Sequence, residues 1–150
     1  MSSGAGDNVG LQRLAGLSDG QIDQLVALYQ GEWWCKGRAR ADVETMLRHS
    51  DFIFAYADAE GRLAAFARVL TDRVFKALVF DVIVRPDCRG TGIGRRMLAD
   101  VTGHPALARV THVELYCRPE LRPFYAAEGF ADAQGVVLMR RTPGGPSGPY

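Results

Sequence analysis

A single α/β domain, built on a mixed β-sheet flanked by helices, is the fold class that the order of hydrophobic patterns predicts. Three observations carry this reading. Strand-like apolar runs are interleaved with stripes at helical spacing. One run, Lys76 to Val84, is apolar almost without interruption, as in a central strand covered on both faces. A glycine-rich turn then joins that run to a helical stripe, and the order strand–helix–strand follows, which places the parallel part of the sheet across the turn.

The elements follow in order. Ser18 and Gln21 have capping-box spacing, and Ile22, Leu25, Val26 and Tyr29 recur at helical intervals, so the first helix is expected to stop near Gly31. The turn EWWCKGR leads to a short second helix with Val43, Met46 and Leu47 on its apolar side. Asp51 to Asp58 and Leu63 to Leu70 read as a hairpin around Glu60-Gly61. Beyond the central strand and its turn, Ile93, Met97, Leu98 and Val101 form one helical stripe, and Val110 to Cys117 is expected to be the next strand. Pro119 suits the first turn of a further helix, with Leu121, Phe124 and Tyr125 inward and Gly129 as its C-cap. Phe130 and the run Val136 to Met139 are expected to close the sheet. The domain should span 9–142, between polar or Pro/Gly-rich tails at 1–8 and 143–150.

A chain of 150 residues can bury a core without staples, and 47% hydrophobic with 23% charged residues is an ordinary soluble composition. A net charge of +1 gives no electrostatic reason to expect nucleic acid, and no apolar run is long enough for a membrane span. Cys35, Cys88 and Cys117 lack disulfide-framework or zinc spacing, so no metal is expected. A reducing compartment suits them, and with no apolar signal segment near Met1 the expected location is cytoplasmic.

The densest signal is Val84-Arg-Pro-Asp-Cys-Arg-Gly90-Thr91-Gly92-Ile93-Gly94-Arg95-Arg96. The first amides of a helix lack internal acceptors and sit at the positive end of its dipole. Glycines let a phosphate approach those amides, and Arg89, Arg95 and Arg96 add charge, so the segment points to pyrophosphate. Arg95 stands where a dinucleotide fingerprint needs its last glycine, and no Gly-Lys-Ser/Thr follows for a P-loop.

These residues resemble the Gcn5-related N-acetyltransferase (GNAT) family. Arg89, Gly92 and Gly94 match its acetyl-CoA motif, and Val82, Val84 and Pro86 match the apolar strand that precedes it. A second landmark, tyrosine followed after three residues by Gly-Phe, is met by Tyr125, Gly129 and Phe130. The resemblance covers most of Leu17 to Met139. It implies splayed central parallel strands, acetyl-CoA as donor, pyrophosphate held at Arg89, Gly90, Thr91, Gly92, Ile93, Gly94 and Arg95, and the pantetheine arm along Val82, Ile83 and Val84. Many members carry Asn and Ala where this chain has Arg118 and Leu121, so contacts of that segment do not transfer.

Acetyl transfer needs a neutral amine and a proton for the departing thiolate. Tyr125 matches the family position of the acid, its other reading being a packed aromatic. Asp81, inside the apolar strand, is a candidate base or a structural carboxylate satisfied by a group such as Arg68; Glu114 is a second candidate. Trp33 and Trp34 either line the acceptor pocket or plug the core, while Lys36, Arg38 and Arg40 read as a solvated face. The expected activity is direct transfer, in a ternary complex, to an amine of a small molecule or peptide. The alternative is a non-catalytic acetyl-CoA-binding module, and a homodimer is left open.

Overall fold

The computed structural model describes residues 10–145. The chain runs β1 (Gln12–Leu14), α1 (Asp19–Gln30), α2 (Arg40–His49), β2 (Phe52–Ala57), β3 (Leu63–Thr71), β4 (Lys76–Val84), α3 (Ile93–Thr102), β5 (His112–Glu114) and α4 (Arg122–Ala126). The five strands lie in sequence order, antiparallel from β1 to β4, with β5 parallel to β4. Ser18 and Gln21 cap each other's backbone at the start of α1, as their spacing predicts.

Alternation along the strands divides the core into two layers. Phe54, Tyr56, Ala65, Ala67 and Val69 meet Ile93, Met97 and Val101 of α3. Ala55 and Phe66 point the other way, onto Leu25 and Tyr29 of α1 and Val43 of α2. In β4 the alternation changes phase. Ala77 and Val79 lie in the α3 layer before residue 80, whereas Val82 and Val84 pack there after it. The cause is a bulge: Arg68 pairs with Phe80 and Phe66 with Ile83, so Asp81 and Val82 oppose Ala67 alone. Asp81 takes a left-handed backbone with φ 56° and, with Ile83, falls on the α1 side.

β4 and β5 are in register only from Lys76/His112 to Leu78/Glu114. Beyond that point β4 continues to Val84 while β5 has ended, so the parallel pair is splayed. The strand expected over Val110 to Cys117 is therefore three residues long, because its second half has no ladder to join. Val136 to Met139 forms no strand, and its side chains are exposed. Apolar composition favours a pleated surface but cannot supply the partner that a strand requires. β1 carried no period-two signal and exists through its pairing with β2. Leu121, expected inward, is 44% exposed: a 3₁₀ turn over Pro119–Leu121 precedes α4 and rotates it outward. The tail expected at 1–8 and residues 146–150 of the second tail lie outside the described residues.

Candidate active site

At the end of β4, Pro86–Cys88 makes one 3₁₀ turn, and the chain then enters α3 through Gly90 (φ 76°) and Gly92 (φ 85°). Both conformations are left-handed, where a side chain is strained, and a Cβ at either would meet nothing within 4 Å. The turn is therefore open above the first amides of α3. Gly94 is glycine for another reason. A Cβ there would lie 3.2 Å from the Phe124 ring and 3.5 Å from Val84, so its absence lets α4 pack against the start of α3. Thr91 Oγ1 donates to the Cys88 carbonyl (2.5 Å) and closes the turn. The Arg89 guanidinium donates to the Val84 carbonyl at 3.1 Å and to Glu32 at 3.2 Å, tying the turn to the loop after α1. Arg95 is exposed, and the Arg96 guanidinium stands 5.4 Å over the Tyr56 ring.

Where β4 and β5 part, a cavity of about 380 Å³ opens. Val79 to Val82 form one wall, Leu115 to Pro119 the other, and Trp33, Trp34 and Tyr125 also line it. Tyr125 is 8% exposed and packs edge-on against Phe124 and Phe130, with ring centroids 5.0 and 6.1 Å away. Burial, and secondarily the nearby Cys117, pushes its hydroxyl up to about 12, so it is protonated at any physiological pH. Trp33 is half exposed beneath the Arg118 guanidinium, 4.0 Å from its ring centroid. Trp34 meets the Tyr29 ring edge-on and carries Arg38 5.4 Å above it. Both tryptophans thus reach the cavity.

Asp81 lines the cavity with its side chain only 5% exposed. Its Oδ2 accepts from Arg68 Nε (2.8 Å), Arg38 Nη1 (2.8 Å) and the Tyr29 hydroxyl (3.0 Å). The carboxylate offered as a base is therefore a paired one, with partners on three elements. Burial, then the Asp81 charge, pushes the Tyr29 hydroxyl well above the usual phenol range. Glu114 is not brought to the cavity: it is 42% exposed and pairs with Lys76 across β4 and β5. A three-residue edge strand cannot bury it. Cys35 is buried, donates to the Tyr29 carbonyl and is pushed up to about 12 by desolvation, which disfavours a thiolate nucleophile.

Sequence reasoning missed Tyr29, Phe80, Tyr116 and Arg118 as cavity or cluster residues. Arg38 was assigned to a solvated face, since basic residues in a polar turn carry no mark of a distant carboxylate. Arg40 also has partners, bridging Asp19, Asp23 and Glu44.

A sequence model of the acetyltransferase (GNAT) domain matches residues 23–139, most of the chain. The chain belongs to the GNAT acetyltransferase family. It is 39% identical over 92 residues to serotonin N-acetyltransferase 2, chloroplastic, of Oryza sativa subsp. japonica, a match covering 57% of this chain and 44% of the rice protein. It is 31% identical over 120 residues to the uncharacterized N-acetyltransferase ycf52 of Porphyra purpurea, covering 77% of this chain and 68% of that protein. A GNAT acetyltransferase structure from Xanthomonas campestris superposes with TM-score 0.76 at 29% identity, over 89% of this chain and 94% of its own. An acetyltransferase structure from Clostridium acetobutylicum with acetyl-CoA shares the fold (TM-score 0.62, 15% identity, 87% of this chain and 94% of that one).

The expected cytoplasmic location is overturned by these relatives. The rice protein and two GCN5-related N-acetyltransferases of Arabidopsis thaliana carry the word chloroplastic in their names. Cysteine usage reports redox state and not address, so it could not separate one reducing compartment from another.

Proposed function

We propose that this chain transfers the acetyl group of acetyl-CoA directly to a primary amine borne on a flat apolar or aromatic body. The observation that carries the reading is the splay itself. The cavity between β4 and β5 holds Tyr125 and adjoins the open glycine turn through Val82 to Val84. The pyrophosphate would sit on the amides at the start of α3, with Gly90 to Arg95 around it, and the pantetheine arm would follow Val82 to Val84. A bulge leaves backbone groups out of the ladder, and those at Asp81–Val82 are available to the arm or the thioester oxygen.

In the transfer step the neutral amine nitrogen attacks the thioester carbonyl and a C–N bond forms. The C–S bond then breaks, and the thiolate takes the Tyr125 proton. The ammonium proton lost by the acceptor leaves to solvent, from which the phenolate is reprotonated. A hydroxyl at about 12 is a weak donor to a thiol of ordinary pKa about 8.5. The same desolvation raises the thiol, however, and narrows the gap.

Trp33, Trp34, Phe80 and Tyr116 give the cavity an aromatic lining suited to a planar acceptor. The rice relative's name also specifies an aromatic amine. The test is release of CoA thiol from acetyl-CoA with arylalkylamines, polyamines, amino acids and peptides as acceptors. Arylalkylamines should give the highest kcat/KM. Tight acetyl-CoA binding without thiol release for any amine would replace the enzyme by a binding module.

A further inference from the structure

We infer that Asp81 is a positioning residue: through Tyr29, Arg38 and Arg68 it pins the loop carrying Trp33 and Trp34 to the bulge of β4. This deepens the acetyl-transfer reading above and rests on it for its kinetic consequences. Its structural basis is independent of that reading.

Three donors from three elements converge on one oxygen, Oδ2, at 2.8, 2.8 and 3.0 Å. Arg68 belongs to β3 and Tyr29 to α1, whereas Arg38 lies near the end of the loop between α1 and α2. The Arg38 guanidinium also lies over the rings of Tyr29 (4.7 Å) and Trp34 (5.4 Å), so its bond to Asp81 holds a tryptophan against the cavity wall. The backbone of Asp81 is itself unusual. A non-glycine residue at φ 56° is disfavoured, and such a conformation persists when its surroundings over-determine it. The carboxylate therefore holds two things in place, the bulged donor strand below and the acceptor loop above. An oxygen already accepting three donors, two of them guanidinium, is poorly placed to take a proton from a passing amine.

The test uses the fact that the chain has two tryptophans, both in this loop, so intrinsic fluorescence reports the loop alone. Arg38→Gln removes the loop pin but leaves Asp81 bonded to Arg68 and Tyr29. It should raise acrylamide quenching of tryptophan and increase the acceptor KM on the order of ten-fold, with kcat held within about three-fold. Asp81→Gly should likewise raise quenching while keeping acetyl-CoA binding, because glycine tolerates the left-handed backbone; Asp81→Ala does not tolerate it and should also weaken acetyl-CoA binding about 5- to 30-fold by calorimetry. Unchanged quenching and KM in Arg38→Gln would overturn the pin. An Asp81→Asn enzyme that keeps its KM but loses kcat and the acid limb of its pH profile would restore the base. Quenching needs neither acetyl-CoA nor an amine. If no amine is acetylated, a rise in quenching still supports the pin, and only the transfer reading fails. If Asp81→Gly does not fold, Arg38→Gln carries the test.

Discussion

Placing a charge at the open helix start is the sharpest perturbation of the proposed donor site. Gly92 has φ 85° and ψ 1°, and an added Cβ would meet nothing within 4 Å. Asn and Asp are the L-residues that best tolerate this conformation, so Gly92→Asn and Gly92→Asp have nearly equal shape and backbone cost. Their difference isolates one negative charge facing a pyrophosphate. Two unit charges about 5 Å apart repel by about 0.8 kcal/mol in bulk water and by about 3 kcal/mol at the effective dielectric of a protein surface. The turn is open to solvent, so the lower end governs each pair. Two phosphate charges then give about 1.6 kcal/mol, a roughly 15-fold loss of affinity. Isothermal calorimetry with acetyl-CoA reads it, with melting temperatures to confirm that both variants fold. The gap between the two should narrow as salt rises, because exposed charges are screened within about 10 Å at 0.1 M. Equal affinities for the Asn and Asp variants at low salt would move the pyrophosphate away from this turn.

Other consequences can be measured on the same protein. Tyr125→Phe should lower kcat about 10²- to 10⁴-fold in single-turnover assays while leaving acetyl-CoA affinity unchanged. Because the hydroxyl lies near 12 and not 10, the wild-type profile should show no alkaline limb through pH 10; a limb at that pH would assign the acid elsewhere. Ser18→Ala removes the capping box of α1 and should cost about 1 kcal/mol in urea unfolding, without altering acetyl-CoA binding. Cys35, Tyr125, Tyr29 and Tyr56 all hold their protons more tightly when folded. The unfolded chain releases these protons first, from about pH 8.5 to 10 upward, so it binds fewer protons than the native state and stability must fall as pH rises through that range. Urea titrations at pH 7, 9 and 11 should show the decline confined to the alkaline side, and a stability that rises with alkalinity would contradict the burial of these groups.

What the sequence determined by itself was local chemistry. Ser18 and Gln21 are three residues apart, so their capping bonds form within one turn of chain wherever α1 packs. Gly90 and Gly92 mark a turn whose amides no side chain covers, and the left-handed backbone that both adopt there is one that glycine takes cheaply. The near-continuous apolar run 76–84 marked the central strand for the same kind of reason. Three-dimensional pairing decided the rest. Whether Asp81 was a base or a paired carboxylate depended on Arg38, 43 residues away, and Tyr29, 52 residues away, which only the packing of α1 on the sheet brings to Oδ2. The one-residue bulge that turns Asp81 to that face is a register event between β3 and β4, invisible in either strand alone. Glu114 lies within a strand-like run and Val136 to Met139 are apolar, yet β5 ends at Glu114 and the later run finds no ladder. Hydrogen-bonded neighbours make a strand, and residue pattern can propose them but not provide them.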